Sequence, residues 1–344
     1  MAESRSKILA GGILRVAVLG AGSWGSALAM QLVRSGQRCI LWGRSRAHIA
    51  AMRASGSNER FLPGILFPSG LEFVSSLGQA LKAVDEILIA VPSHAFAGML
   101  ELLVPLLGSR QGVSWASKGL EPGSGRLLHQ TAQYLLGSKR PLAVVTGPSF
   151  AIEVARDLPT AVTVAATDST YCMRMARALH GQNFRAYTSD DIVGAEWGGA
   201  VKNVLAVATG ISDGMALGNN ARAALITRGL AEMMRLGKVL GAREKTMIGL
   251  SGMGDLVMTC TGDLSRNRRL GLALGAGQNV EQAVAEIGQV VEGVSTSAEV
   301  WRLSQRHGID MPISEQVYGI IHLGWNPKQC VRDLLAREQK PEHG

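Results

Sequence analysis

Short apolar runs alternate with helical patterns along the first half of the chain. The apolar runs predict strands at 16–19, 39–42, 87–91, 113–116, 143–146 and 161–165, with a late strand at 184–188. Between them, helical stretches are predicted at 27–34, 94–107, 126–136 and 171–179. Strands that alternate with helices are typical of a doubly wound, mostly parallel sheet. We therefore predict an α/β domain of the Rossmann type over residues 15–191.

The pattern changes after Asp190. Residues 193–211 are small and apolar without strand punctuation, and residues 221–240 repeat at helical spacing. The rest of the chain forms helical blocks separated by glycines. We predict an all-α second domain over 192–337, a short N-terminal arm over 1–14 and a frayed polar tail over 338–344.

The first predicted strand runs into a Gly-x-Gly-x-x-Gly turn at 20–25 that opens the first helix. In such a motif Gly20 makes the tight turn, Gly22 lets the backbone approach a pyrophosphate, and Gly25 lets the helix pack closely on the strand. Free N–H groups at the helix N-terminus then hold the pyrophosphate. The motif alone is weak in a chain with 42 glycines, but its place between a strand and a helix predicts a dinucleotide site.

The residues after the second strand bear on which dinucleotide binds. An NAD site usually carries an acidic residue there, which hydrogen-bonds the ribose. This chain has Arg44 and Arg46 instead. No acid repels a 2′-phosphate, and two guanidinium groups are available to pair with one. We predict that NADPH is preferred, with NADH as the second cofactor. The alternative is that both arginines form a solvated basic corner.

Composition narrows the class of protein. The chain has 344 residues, of which 47% are hydrophobic and 18% charged, which fits a globular protein with room for two domains. No stretch approaches the roughly 18 apolar residues of a membrane helix, and the first residues lack the apolar core of an export signal. The four cysteines are scattered, which argues against a metal site or a disulfide framework and favours the cytoplasm.

The formal net charge of +8 is compatible with two kinds of partner. Nucleic-acid binders concentrate Lys and Arg in patches interleaved with aromatic residues. Here the basic residues are dispersed, and aromatic residues make up only 5% of the chain. We therefore predict anionic small molecules as partners, and neither nucleic acid nor a membrane.

Three segments place a charged residue in an apolar or glycine-rich context. Lys118 directly follows a predicted strand, where ligands of open α/β sheets bind. Lys202 has small and apolar neighbours, and burial there would lower its pKa toward the range of a general acid. Asp255 follows a glycine-rich run and is suited to position Lys202. Arg266 offers the forked N–H donors of its guanidinium to a phosphate, and Asn267 offers its amide.

Each of these segments also has a plainer interpretation. A lysine after a strand is often a solvated loop residue, and a lysine on an apolar helix often extends its amine to water. The basic run at 265–269 fits a simple helix start. The residues alone leave these alternatives open. His94, close after a predicted strand, is the one histidine that we expect to line the cofactor site.

Taken together, the motifs resemble those of the bacterial NAD(P)-dependent glycerol-3-phosphate dehydrogenases over nearly the whole chain. The matching stretches lie at 20–25, 117–121, 147–151, 199–204, 223–230, 252–256, 265–267 and 290–293. The resemblance implies a Rossmann domain followed by an all-α domain of the 6-phosphogluconate-dehydrogenase-like type. It also implies the reversible reduction of dihydroxyacetone phosphate by NAD(P)H to sn-glycerol 3-phosphate, for phospholipid synthesis.

The resemblance further implies roles for individual residues. Lys202 becomes the proton donor in reduction and the acceptor in oxidation, and we place Lys118 and Asp255 with it in the catalytic set. The family's cofactor contacts match Ser23, Trp24, Arg44, Lys118, Ala151, Arg266, Val290 and Glu292. Its substrate contacts match Lys118, Gly147, Ser149, Asp255, Ser265, Arg266 and Asn267. Lys202, Asn203 and Thr259, from the same segments, complete the predicted substrate site.

Two rival functions stay open at this point. Another NADPH-dependent ketone or β-hydroxyacid dehydrogenase, such as a ketopantoate-reductase type, would share the layout. It would want a carboxylate clamp and would not need the Gly-Pro-Ser-Phe-Ala segment at 147–151. A dinucleotide-sensing regulatory protein has little use for Lys202 together with Asp255, and it usually carries an appended binding module. The apolar helical domain is compatible with a homodimer, although no interface signature is visible.

Overall fold

The computed structural model describes residues 12–338. Its strands are β1 (Arg15–Leu19), β2 (Arg38–Trp42), β3 (Ser57–Asn58), β4 (Leu62–Leu66), β5 (Leu71–Val74), β6 (Glu86–Ile89), β7 (Gly112–Trp115), β8 (Leu142–Thr146), β9 (Thr160–Ala166) and β10 (Phe184–Ser189). Eight of them form one sheet in the order β10-β9-β8-β7-β6-β1-β2-β5. Neighbours in this sheet pair in parallel, apart from the antiparallel pair β8 and β9. Strands β3 and β4 form a separate antiparallel hairpin.

Helices cover both faces of this sheet. They are α1 (Ser23–Arg34), α2 (Arg46–Ser55), α3 (Leu77–Leu81), α4 (Phe96–Leu103), α5 (Leu128–Leu136), α6 (Ala151–Ala155) and α7 (Ser169–Leu179). Buried side chains of α1 and α7 pack in one apolar cluster with one face of the sheet, and those of α4 and α5 pack in another with the opposite face. Both faces of the strands are therefore buried, as expected of a doubly wound sheet.

The described chain is helical from Ile192 onward. The helices are α8 (Ile192–Gly214), α9 (Gly218–Leu240), α10 (Glu244–Met247), α11 (Asp255–Thr261), α12 (Arg266–Gly275), α13 (Val280–Ile287), α14 (Glu292–His307), α15 (Pro312–Leu323) and α16 (Pro327–Leu335). A wide π-type turn at Leu250–Gly254 leads into α11. The predicted fold class, a mostly parallel Rossmann sheet followed by a helical C-terminal half, is confirmed.

Helix α8 forms the buried centre of the helical half. It packs so closely on α12 that a Cβ on Gly210 would lie 2.2 Å from the carbonyl oxygen of Arg268. A Cβ on Gly271 would lie 2.1 Å from the carbonyl oxygen of Val207. Such backbone contact needs small residues along the crossing. This explains the small, apolar run at 193–211 that predicted a helix.

The seven predicted strands are present with shifts of one or two residues at their ends. Edge strand β5 and the hairpin β3–β4 are additions that the pattern did not predict, because both are short and carry polar residues. The predicted helix at 94–107 is wrong in extent: α4 ends at Leu103, and a 3₁₀ turn follows around Pro105. Proline lacks the N–H that a continuing α-helix would use.

The structure bears only in part on the predicted divisions of the chain. The last strand ends at Ser189 and α8 begins at Ile192, which flank the predicted boundary at 191. The division into two domains stays a prediction. Residues 1–11 of the predicted arm and 339–344 of the predicted tail lie outside the described residues. Within 12–338, no helix has the length and apolar character needed to cross a bilayer.

Candidate active site

The glycine-rich turn lies between the carboxyl ends of β1 and β6. Gly20 has φ +126°, and a Cβ there would lie 2.7 Å from the carbonyl oxygen of Ala90. A Cβ on Gly25 would lie 1.8 Å from the carbonyl oxygen of Gly20. Gly22, in contrast, has open space beside it, and no side chain caps the first turn of α1. The N–H groups of that turn are therefore available to an anion.

A cleft of about 1070 Å³ opens above this turn and extends to the helical half. Drug-sized ligands occupy sites of roughly 300–1,000 Å³, so the cleft has room for a ligand larger than these. One wall is formed by the glycine-rich turn, Arg44 and the segment after β7. The facing wall is formed by α8, the start of α12 and the segment that leads into α14. A long ligand would therefore contact both halves of the chain.

Two lysines share one buried carboxylate in this cleft. Lys118 Nζ donates to Asp255 Oδ2 at 2.7 Å and to the carbonyl oxygen of Gly147 at 2.9 Å. Lys202 Nζ donates to Asp255 Oδ1 and, at 2.9 Å, to Thr259 Oγ1. The Asp255 side chain is fully buried, while Lys118 and Lys202 both line the cleft. Asp255 is thus the shared counter-ion of two ammonium groups in residues that line the cleft.

Burial is the main cause of an unusual pKa in this cluster. Burial, together with the positive charge of Lys118, lowers the pKa of Lys202 from 10.5 to about 7. The Asp255 carboxylate acts in the opposite direction and raises it. Because the resulting pKa lies near neutrality, Lys202 exchanges a proton readily at physiological pH.

Tight backbone turns place the carboxylate against α8. Gly252 lies so close to Met247 that a Cβ would be 1.9 Å from the carbonyl oxygen of Met247. A Cβ on Gly198 of α8 would lie 2.4 Å from the carbonyl oxygen of Ser251. Small residues on both sides therefore let the π-type turn pack against α8. Asp255, the first residue of α11, then reaches Lys202 in the middle of α8.

Comparison with known proteins agrees with this geometry. Residues 15–172 match the family model for the N-terminus of NAD-dependent glycerol-3-phosphate dehydrogenase, and residues 191–332 match the model for its C-terminus. The chain is 56% identical over 329 residues to a glycerol-3-phosphate dehydrogenase (NAD(P)+) of Xanthomonas campestris pv. campestris, covering 96% of both chains. This chain belongs to the glycerol-3-phosphate dehydrogenase family.

Solved structures place the fold in the same group. A glycerol-3-phosphate dehydrogenase from Coxiella burnetii is 48% identical, with a TM-score of 0.91 over 94% of this chain and 99% of that chain. A ketopantoate reductase from Ralstonia eutropha is also similar, at 17% identity and a TM-score of 0.59 over 92% of this chain and all of that chain. The second likeness shows a shared fold alone. It explains why the layout by itself left the ketopantoate-reductase alternative open.

Most of the predicted site residues line one cleft in this member of the family. The lining includes Gly20, Gly22, Ser23, Trp24, Arg44, Lys118, Ser149, Ala151, Lys202, Asn203, Thr259, Ser265, Arg266, Asn267, Val290 and Glu292. Three predicted residues lie behind the lining: Gly25 under the glycine-rich turn, Gly147 beside Lys118, and Asp255 beneath the two lysines. The structure therefore brings the predicted set together, while the role of each residue stays a prediction.

The pair predicted to hold a phosphate has protein partners of its own. Arg266 Nη1 donates to the carbonyl oxygen of Val290 at 2.7 Å. The Asn267 amide donates to Asn203 Oδ1 at 2.8 Å and accepts from the N–H of Gly293 at 2.9 Å. These bonds tie the start of α12 to α8 and to the start of α14. They hold Arg266 at the cleft surface with part of its guanidinium free of these bonds.

Some residues that line the cleft were not predicted from the sequence. His48, Arg60 and Phe61 line the cleft next to Arg44, so the expectation that His94 alone among the histidines would lie there is wrong. His48 packs edge-on against Phe61 at 5.6 Å between ring centroids. Arg46 is the first residue of α2 and does not line the cleft. No local sequence motif predicts the β3–β4 hairpin, whose turn places Arg60 and Phe61 at the end of the cleft where Arg44 lies.

The structure offers no metal centre in the part of the chain that it describes. Among residues 12–338, no three His, Cys, Asp or Glu side chains are grouped so that they could hold a metal ion. All four cysteines are buried and free of disulfide bonds.

Proposed function

We propose that the protein catalyses the reversible reduction of dihydroxyacetone phosphate to sn-glycerol 3-phosphate with NADPH. The observation that carries the proposal is a buried lysine, Lys202, with a pKa of about 7, in the cleft that the glycine-rich turn also lines. A proton donor and a dinucleotide-type turn in one cleft are what ketone reduction requires. The identity of the relatives points to the particular ketone.

The cofactor's nicotinamide ring would supply the hydride that adds to the carbonyl carbon. Negative charge then develops on the carbonyl oxygen, and the Lys202 ammonium neutralises it by donating a proton. Lys118 adds a second positive charge next to this point, and Asp255 keeps both amines in place. In the oxidative direction the neutral Lys202 amine accepts the proton, which its pKa near neutrality allows.

The residues at the nucleotide end fit a phosphorylated dinucleotide. The open space at Gly22 and the uncapped first turn of α1 leave room and N–H donors for a pyrophosphate. The Trp24 Nε1 group is buried without a hydrogen-bond partner. Arg44 and Arg60 both line this end of the cleft, which favours a 2′-phosphate and supports NADPH over NADH. NADH, which lacks that phosphate, would bind more weakly.

The substrate phosphate would bind on the helical side of the cleft. Arg266 lines it, together with its neighbours Ser265 and Asn267. The Arg266 side chain is held by Val290, so it offers a preorganised cation. This arrangement favours a phosphorylated ketone over a plain carboxylate, because a phosphate presents more acceptor oxygens to these donors.

Lys202→Ala tests the proposal directly. We expect turnover of NADPH with dihydroxyacetone phosphate to fall at least about 100-fold, since general acid catalysis contributes roughly 10²–10⁴-fold. Binding of NADPH, measured by its fluorescence, should stay within about threefold because the amine serves the chemical step. Retention of more than about a tenth of kcat would contradict the assigned role. An unmutated protein that leaves NADPH unoxidised with this ketone would contradict the function itself.

We also propose a cytoplasmic location and a homodimeric state. The four free, buried cysteines support a reducing compartment. The homodimer has only the apolar character of the helical half in its favour, and sedimentation velocity of the purified protein would test it directly.

A further inference from the structure

A second buried carboxylate lies near the lysines without contacting them. Glu196 is on α8, six residues before Lys202, and its side chain is almost completely buried. It accepts a hydrogen bond from Trp115 Nε1 at 2.9 Å. It also accepts from the backbone N–H of His129 at 3.0 Å and contacts His129 Nδ1 at 2.5 Å. One carboxylate therefore joins three different elements.

Two of these elements position the lysines of the site. Trp115 is the last residue of β7, three residues before Lys118. Glu196 is less than two helical turns before Lys202 on the same helix. His129 is in the first turn of α5, which packs on the same face of the sheet as α4. The hydrogen bonds of Glu196 thus connect the strand that leads to one lysine with the helix that carries the other.

Close packing next to Glu196 makes this connection stiff. A Cβ on Gly199 of α8 would lie 2.9 Å from Thr146 Oγ1 at the end of β8. The helix therefore rests directly on the sheet between Glu196 and Lys202. The ring of Trp115 is fully buried and packs edge-on against Phe96 at 5.5 Å, so its N–H points in a fixed direction.

We propose that Glu196 is a positioning residue that sets the spacing between Lys202 and Lys118. A displaced α8 would move the Lys202 amine away from Asp255 and from the reacting oxygen. Misplacement by about 1 Å is enough to lower a rate by roughly 10²-fold. The inference rests on the proposed function, because its main effect is on turnover.

The buried carboxylate of Glu232 provides a matched control. Glu232 on α9 is equally buried and accepts from the N–H groups of Ile313 and Ser314, at 2.6 and 3.1 Å, and from Ser314 Oγ at 2.9 Å. It anchors the start of α15, and neither Glu232 nor its partners line the cleft. Loss of either carboxylate leaves buried N–H donors without an acceptor and destabilises the fold. Only the loss of Glu196 should also disturb the lysines.

The experiment compares Glu196→Met, Glu196→Gln and Glu232→Met. We expect Glu196→Met to lower kcat at least about 30-fold while the Kd for NADPH stays within about threefold. Glu196→Gln should retain kcat within about threefold, because its amide oxygen accepts from Trp115 and its NH₂ donates to His129 Nδ1 in the other tautomer. Glu232→Met should lower Tm and leave kcat of the folded protein unchanged. Equal kcat in all three variants would overturn the proposal.

Two further measurements keep the test decisive. Should Glu196→Met fail to fold, Trp115→Phe removes one donor to Glu196 and keeps the aromatic packing. We expect its kcat to fall about fivefold, and an unchanged kcat would overturn the proposal.

The second measurement does not depend on turnover. The pKa of Lys202, read from the pH dependence of its labelling by a small amine-reactive reagent, should fall below about 7 in Glu196→Met, because the displaced amine loses the Asp255 carboxylate that raises its pKa. In Glu232→Met it should stay near 7. Should the unmutated protein leave dihydroxyacetone phosphate unreduced, the proposed function fails. An unshifted Lys202 pKa in Glu196→Met overturns the positioning role by itself.

Discussion

Removal of the Lys118 charge should move the pH dependence of the reaction in a direction that the structure fixes. Lys118 and Lys202 bind the two oxygens of the Asp255 carboxylate. The charge of Lys118 lowers the pKa of Lys202, and the charge of Asp255 raises it. In Lys118→Met this repulsion is absent, and Lys202 is the one lysine that still binds the Asp255 carboxylate. Both changes raise the pKa of Lys202.

Coulomb's law gives the size of this effect. Two ammonium nitrogens on the two oxygens of one carboxylate lie roughly 5 Å apart, and at an effective dielectric constant of about 20 they repel by about 3 kcal/mol. Each pH unit in a pKa corresponds to about 1.4 kcal/mol. The pKa of Lys202 should therefore rise from about 7 to about 9 when Lys118 is replaced.

The assay is kcat/KM for ketone reduction between about pH 5 and 10, which reports the groups of the free enzyme. Reduction needs the protonated amine, so activity is present below the pKa of Lys202 and is lost as the pH rises through it. We expect the loss near pH 7 in the unmutated protein and about two pH units higher in Lys118→Met. Lys238→Met, which removes an exposed lysine on α9, should leave the midpoint unchanged.

Asp255→Asn gives the opposite sign. Without its carboxylate, Lys202 is buried next to Lys118 alone, and its pKa should fall below about 7. The reductive activity would then be lost at lower pH than in the unmutated protein. A shift of both variants in the same direction, or no shift in Lys118→Met, would refute the electrostatic account. A lower activity at every pH with the same midpoint would assign Lys118 to binding alone.

The other predictions concern ligand contacts. Arg44→Gln should lower the NADPH-to-NADH ratio of kcat/KM by about tenfold or more, while Arg46→Gln, outside the cleft, should leave it unchanged; equal ratios in all three proteins would contradict the cofactor preference. Arg266→Ala should raise KM for dihydroxyacetone phosphate about tenfold, and an unchanged KM would discard the phosphate contact. Gly25→Ala should abolish NADPH binding, because its Cβ overlaps the Gly20 carbonyl oxygen; a wild-type Kd would contradict that role.

Local patterns were sufficient to predict the sheet and the cofactor turn. The strands of the main sheet are buried on both faces, so they read as continuous apolar runs that stand out from the helices between them. The turn at 20–25 is also local, since its glycines are required by close contacts within the turn and with one neighbouring strand. Edge strand β5 lacks such a run because it is only half-covered, and its Glu72 binds Arg15 at the surface.

The cluster at the centre of the cleft was only partly predictable. The sequence indicated that Asp255 would position Lys202, and the family resemblance put Lys118 in the same site. That Asp255 also binds Lys118, which is 137 residues away, follows from the crossing of α8 over the end of the sheet. Glu196 gave no signal, because a glutamate on an apolar helix is commonly solvated. Its function depends on Trp115 and His129, which no spacing connects to it.

The charges of the cleft also constrain the substrate. Lys118, Lys202 and Arg266 line it. The carboxylates that face them are Asp255, which the two lysines share, and Glu292, which raises the pKa of Arg266. Burial lowers the pKa of both Lys202 and Arg266, so the protein alone stabilises these cations incompletely. A bound phosphate would supply the missing negative charge and raise the pKa of Lys202. Binding of a phosphorylated ketone and protonation of the donor would then favour each other. An uncharged ketone would bind next to a lysine that is partly deprotonated, so it would be both a weaker ligand and a slower substrate.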